Sequence, residues 1–149
     1  MLNKDYRDIL SELSAAGAEY LLVGAYALAS HGLVRATSDI DLWVRPTAEN
    51  ADRVVEALLA FGAPADQFSA ELFTQPDQVL QIGVAPLRID FLTSVSGLEF
   101  GDAWARKQVV DLNGLSVPVV CLEDLVINKR ATGRPQDIVD LRWIDESQP

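Results

Sequence analysis

The chain has 149 residues, 49% hydrophobic and 23% charged, with a formal net charge of −10, a balance that suits one domain with a sizeable core and excludes a disordered chain. No apolar run approaches the ~20 residues that span a bilayer. The opening "MLNKDYRDIL" lacks the apolar core of a signal peptide, so a cytoplasmic location is expected. Twelve Lys and Arg against 22 Asp and Glu argue against broad nucleic-acid binding, which needs cations to replace counterions on the phosphates, but leave room for a local basic pocket or a basic protein partner.

In chain order, Tyr6, Ile9, Leu10 and Leu13 recur at helical spacing. They predict a helix from about Lys4 to Ala16, capped by Asn3 and ended by Gly17. "EYLLVG" reads as a short buried strand ending at Gly24, and "AYALASHG" as a helix closed by Gly32. "SDIDLWV" is a strand stopped by Pro46. Thr47 then caps a helix over about Ala48 to Phe61, with Val54, Val55, Leu58 and Leu59 as its apolar face. "ELFTQ", "QVLQIGV" and "LRIDFLT" read as three short strands, with turns near Pro76-Asp77 and Ala85-Pro86. A short helix is predicted from Phe100 to Arg106. "KQVVDLNGLSVPVV" is a hairpin, because Asn113-Gly114 between apolar runs favours a type I′ turn. Cys121, the sole cysteine, excludes an internal disulfide and reads as a buried thiol. Two helices close the chain, Leu122 to Thr132 and Pro135 to Asp145, separated by Gly133. Helices and strands mix without strict βαβ alternation. The expected fold is therefore α+β, a single mixed sheet with helices packed mainly on one face, in one domain over 1–149.

Two aspartates interrupt the apolar run of "RATSDIDLWV". Alternate side chains share a face along a strand. Ile40, Leu42 and Val44 should face the core, and Asp39, Asp41 and Trp43 the other side, with the carboxylates roughly 7 Å apart along the strand. Such a pair is tolerable if it is solvated, protonated or bound to a cation, and magnesium prefers carboxylate oxygens and phosphates. In "LRIDFLT", Arg88 and Asp90 share one face and Ile89 and Phe91 the other. If the two strands pair, three carboxylates meet and could hold two divalent ions for phosphoryl transfer. The plainer alternative is that exposed aspartates only solubilise a strand. No Asp-Thr-Gly or Asp-Ser-Gly suggests an aspartic protease, no EF-hand ligand series is present, and an aspartyl-nucleophile phosphatase is a weaker rival.

Ahead of the aspartates, "LLVGAYALASHGLVRATSDIDLWV" reads as strand, glycine turn, helix, loop and strand. Gly24 allows a sharp turn and close approach of a ligand. This combination resembles the nucleotidyltransferase superfamily of the DNA polymerase β type, whose signature is Gly-Gly or Gly-Ser, a spacer, then Asp-X-Asp. Gly24-Ala25 and Asp39-Ile40-Asp41 stand in those places, 13 residues apart. "SHGLVRATSDIDL" and "LEDLVINKRATGRPQDIVDL" are similar to the small bacterial branch, which includes stand-alone domains and AbiEii-type toxins. The resemblance implies that Asp39 and Asp41 bind magnesium or manganese. It makes Asp90 the third carboxylate, a base or second-metal ligand. It also implies that Gly24 and the turn through Ala25 hold the triphosphate of an NTP donor, with Ser38 beside them. The implied reaction moves a nucleoside monophosphate and releases pyrophosphate. Ala25 departs from the signature: it keeps the backbone N–H, supplies no hydroxyl, and its methyl is expected to crowd the approach of a phosphate.

Arg35, four residues before Asp39, is either a phosphate ligand or a surface ion-pair partner. Lys129 falls on the stripe of Leu122, Leu125 and Val126, so its ammonium must reach a partner or a cleft: Asp137, Asp140 or nucleotide phosphates. The resemblance places a lysine and an Arg-x-x-Asp here, matching Lys129, Arg134 and Asp137. His31 caps a helix end, and Trp43 either stacks on a base or covers the sheet edge. An enzyme acting on a small-molecule or protein acceptor leads this reading. The alternative is a regulatory, antitoxin-like partner that keeps the fold with little activity. The expected partners are a nucleotide and either another protein or a second copy of this chain.

Overall fold

The computed structural model describes residues 2–33, 39–84 and 87–147. The chain begins with α1 (Lys4–Ala15), where the Asn3 side chain accepts from the Tyr6 N–H and Tyr6, Ile9, Leu10 and Leu13 are buried. β1 (Tyr20–Val23) follows and is buried throughout. It turns directly into α2 (Gly24–Ser30). After β2 (Asp39–Val44), Thr47 caps α3 (Ala48–Phe61) through the Asn50 N–H. β3 (Val79–Ile82) and β4 (Arg88–Leu92) come next, then α4 (Phe100–Ala105). The hairpin of β5 (Gln108–Leu112) and β6 (Leu115–Val119) leads into α5 (Leu122–Thr132) and α6 (Pro135–Ser147). Asn113 and Gly114 both have positive φ, as the expected turn demands.

The six strands form one mixed sheet in the order β3-β4-β2-β1-β6-β5. β1 runs antiparallel to β2, β2 parallel to β4, and β1 parallel to β6. This is the α+β architecture expected from the sequence. The β2–β4 register positions the site: Asp39 lies opposite Arg88 and Asp41 opposite Asp90. On the other side of β2, Val23 lies opposite Asp41, so the β1–α2 turn reaches the same end of the sheet. Ile40, Leu42 and Val44 are fully buried. α1 and α3 pack on one another, and both touch the sheet.

Three expectations need correction. "ELFTQ" is not a strand: Ala70–Thr74 forms a 3₁₀ helix that packs on α3, and Phe73 is its buried anchor, edge-on to Phe91. Leu72 and Phe73, adjacent between Glu71 and Thr74, form an apolar run too short for periodicity to separate the two states. On α3, Leu59 is half exposed, and the buried stripe runs instead through Asn50, Ala51, Val54, Ala57 and Leu58. Asn50 earns its burial by joining Glu19 and Arg45: it accepts from the Glu19 N–H and donates to both carbonyls. Trp43 neither faces an open site nor covers an edge. β2 is central, and α4 covers this face at Trp43, with Phe100 edge-on at 5.1 Å. The ring is buried and its Nε1–H has no hydrogen-bond partner among the described residues.

Candidate active site

Three carboxylates meet at the end of the sheet where β2 and β4 begin and β1 finishes. The arrangement follows from parallel pairing. β2 and β4 carry the same phase of apolar and charged residues, and in-register pairing brings like positions side by side. One cation is already there. The Arg88 Nε donates to Asp90 Oδ1 at 2.9 Å, and its Nη2 donates to Asp90 Oδ2 at 3.2 Å and to Asp39 Oδ2 at 2.7 Å. Because one nitrogen contacts both acids, the Asp39 and Asp90 oxygens are no farther apart than those two bonds laid end to end. The alternation of "LRIDFLT" puts Arg88 on this face, and the structure adds that it is the counter-charge. The signal was present, since an Arg two residues from an Asp on one strand shares its face.

Asp41 is placed differently. Burial, then the neighbouring charges of Asp90 and Asp39, push its carboxyl up from 3.8 to about 7, while Arg88 and Arg134 pull it partly back. Its carboxylate lies against Gly24. A Cβ at position 24 would stand 2.3 Å from Asp41 Oδ2, and Gly24 has φ +73°, a left-handed conformation that other residues avoid. Gly24 therefore makes room first for Asp41 itself. Ala25, the next residue, lies in α2 and is buried, so its methyl turns into the protein.

Asp41 and Gly24 form one wall of a cleft of about 300 Å³. Val23 and Leu92 line its sheet side, Ser94, Val95 and Ser96 the segment after β4, and Asn128, Thr132 and Arg134 the helical side. The Arg134 guanidinium is gripped by the wholly buried Asp137, through Nε at 2.8 Å and Nη2 at 3.0 Å. Burial works against the Asp137 charge. The Arg134 guanidinium and N–H and the Thr132 hydroxyl prevail, and hold its carboxyl well below the usual range. Beneath them Lys129 is buried, its Nζ 2.8 Å from Asp140 and 3.7 Å from Asp137. Lys129 thus meets carboxylates and does not line the cleft. Arg134, the other basic residue of the same motif, does.

Arg35 and Ser38, expected at the nucleotide, lie outside the described residues. His31 caps α2, with its Nε2 2.9 Å from the Val120 carbonyl oxygen. A larger groove of about 620 Å³ lies between α5 and α6, but it carries none of the sheet-end carboxylates. No helix among the described residues is long and apolar enough to cross a membrane.

The site suits magnesium in the kind of its donors, which are all carboxylate oxygens on adjoining strands. The guanidinium of Arg88 marks where positive charge is accommodated. As they stand, no three acidic, histidine or cysteine side chains among the described residues are arranged to hold a metal ion. Arg88 is bonded to Asp39 and Asp90, and an ion held by those two acids would have to share them with it.

Comparison with known proteins bears on the fold and the family. A solved structure of a Thermotoga maritima protein assigned as a nucleotidyltransferase superposes with a TM-score of 0.64 and 20% identity, over 98% of this chain and 96% of that one. At that identity the likeness shows the fold. No functionally curated protein matches. The family described as "Nucleotidyl transferase of unknown function (DUF2204)" matches residues 2–149. The chain belongs to this DUF2204 family of nucleotidyl transferases.

Proposed function

We propose that the protein transfers a nucleoside monophosphate from an NTP to a hydroxyl acceptor and releases pyrophosphate. The observation that carries this reading is the pairing of opposite charges across one cleft. Asp41, in register with Asp90, lies on one side, and Arg134 on the other. A metal-bound triphosphate needs both signs, an anionic site for the cation and a guanidinium for a phosphate. Asp39, Asp41 and Asp90 would hold magnesium or manganese once Arg88 has moved away. The ion, when bound, would offset phosphate charge and polarise the transferred group. Gly24 and the backbone N–H of Ala25 would border the triphosphate, and Arg134 would hold an oxygen of it. Asp90 would take the proton of the acceptor hydroxyl as its oxygen bonds to the α-phosphorus and the bond to pyrophosphate breaks. Lys129, joined to Asp137 and Asp140, would serve by fixing Asp137 and so Arg134.

The motifs "SHGLVRATSDIDL" and "LEDLVINKRATGRPQDIVDL" support the small bacterial branch that includes AbiEii-type toxins. A protein acceptor is therefore to be tried beside small molecules. A second reading, a partner protein with little activity, draws support from Arg88, which already fills the cation position. Titrating each of the four NTPs with magnesium, by calorimetry, into wild type and Asp39→Asn/Asp41→Asn separates the two. The enzyme reading expects metal-dependent binding of at least one NTP that the double variant loses. Equal binding by both proteins, or none by either, would remove it. Alpha-labelled NTPs offered with candidate acceptors would then identify the product.

A further inference from the structure

We infer that Arg88 is the resident counter-cation of the carboxylate site and competes with the divalent ion for Asp39 and Asp90. The inference rests on the proposed function only in taking those carboxylates as metal ligands.

Parallel register sets Arg88 directly opposite Asp39 and one alternation from Asp90. Its side chain therefore lies along the carboxylate face without any special loop. The contacts are those of a fork: two nitrogens on the two oxygens of Asp90, and one of them shared with Asp39. Lysine, a point charge, could not bridge the two acids in this way.

Both oxygens of Asp90 are thus engaged. An ion ligated by Asp90 at magnesium's ~2.1 Å would stand roughly 5 Å or less from the guanidinium, where two cations repel strongly. The ion would also draw on the oxygens that Arg88 now holds. Metal occupancy and the Arg88 fork therefore exclude one another. Arg88 has somewhere to go: 31% of its side chain is exposed, against 10% for that of Asp90, and it starts its strand beside the half-exposed Leu87. Without metal, Arg88 keeps Asp39 and Asp90 together on adjoining strands. With metal, it swings outward. It acts as a positioning residue, and it raises the metal concentration the site requires.

The test uses Mn²⁺ alone as probe, with the full chain. Arg88→Met should bind Mn²⁺ at least tenfold more tightly than wild type by calorimetry, and should melt at a lower temperature in EDTA. Arg88→Lys should fall between the two. A folded Arg88→Met with unchanged or weaker Mn²⁺ affinity would overturn the inference. The wild type supplies a readout independent of how well a variant folds. The Arg88 Nε–H, protected from solvent exchange in EDTA, should lose that protection when magnesium saturates the site. Protection that survives saturation would sink this inference and leave the metal site standing. Wild type and variant that both fail to bind Mn²⁺ at millimolar concentration would sink both.

Discussion

Asp41→Asn should make the metal-free protein more stable at alkaline pH and leave it unchanged in acid. The Asp41 carboxyl is raised from 3.8 to about 7 by burial and by the charges of Asp90 and Asp39. A raised acid stabilises the fold while protonated. That contribution is complete below 3.8 and is lost as pH climbs through about 7. Each pH unit between the unfolded and folded values corresponds to 1.36 kcal/mol, which puts the whole effect at about 4 kcal/mol. Asp41 opens onto the cleft and is only partly buried, so solvent screening brings the expected figure to about 2 kcal/mol. Asparagine has the same shape and no charge. Urea unfolding in EDTA should give equal stabilities at pH 4, with the variant pulling ahead between about pH 5 and pH 8. With magnesium added at pH 8 the order should narrow or reverse, because binding stabilises only the form that binds. A difference that stays constant from pH 4 to pH 8 would refute the electrostatic account of Asp41.

Gly24→Ala should cost about 1–3 kcal/mol, for a left-handed backbone and a methyl forced onto the Asp41 carboxylate. Thermal melting measures that cost, and trimming residue 41 in Gly24→Ala/Asp41→Ala should recover part of it. Lys129→Met should cost about 3–5 kcal/mol by urea unfolding, because Asp140 and Asp137 would stay buried with less positive charge near them. Asp137→Asn should lose about 1–3 kcal/mol at pH 7. The Asp137 carboxyl lies below its ordinary value, so the stability it adds is present above the unfolded pKa and lost as pH falls. The gap between wild type and variant should therefore close in acid, and a gap that widens there would contradict the buried ion pair.

The elements were legible wherever local chemistry and burial agreed. Asn3, Thr47 and Gly133 mark helix ends through their own backbone or side-chain bonds. Asn113-Gly114 marks the hairpin through φ. The alternation in Asp39–Val44 and Arg88–Leu92 correctly put the three acids together, since in-register pairing depends on the same apolar phase. What failed depended on distant partners. Phe73 is helical because α3 offers it a seat, and Leu59 is exposed because Asn50 and Ala51 carry the buried stripe instead. Trp43 shares a face with Asp41 but not its surroundings, since Phe100 arrives from 57 residues farther along the chain. Periodicity reports which side a residue takes, not what covers that side.

The charged clusters next to Arg134 and to Asp41 differ in burial, and that difference separates their roles. Lys129, Asp137 and Asp140 lie almost wholly out of water. Removing Lys129 leaves Asp137 and Asp140 buried with less positive charge near them, which is costly and holds the cluster in place. Arg88 and Asp39 keep partial access to solvent. Their pairing can open at modest cost, since water can take over the hydrogen bonds it releases. Arg134 joins the two clusters. Asp137 grips its guanidinium from the rigid side, while its charge lowers the cost of ionising Asp41 across the cleft. A site that must admit a cation on one wall and an anion on the other gains from this arrangement. The anion-holding arginine is fixed beforehand by a buried acid, so little freedom is lost on binding. The cation-holding acids stay exchangeable because their present partner is a side chain that solvent can receive.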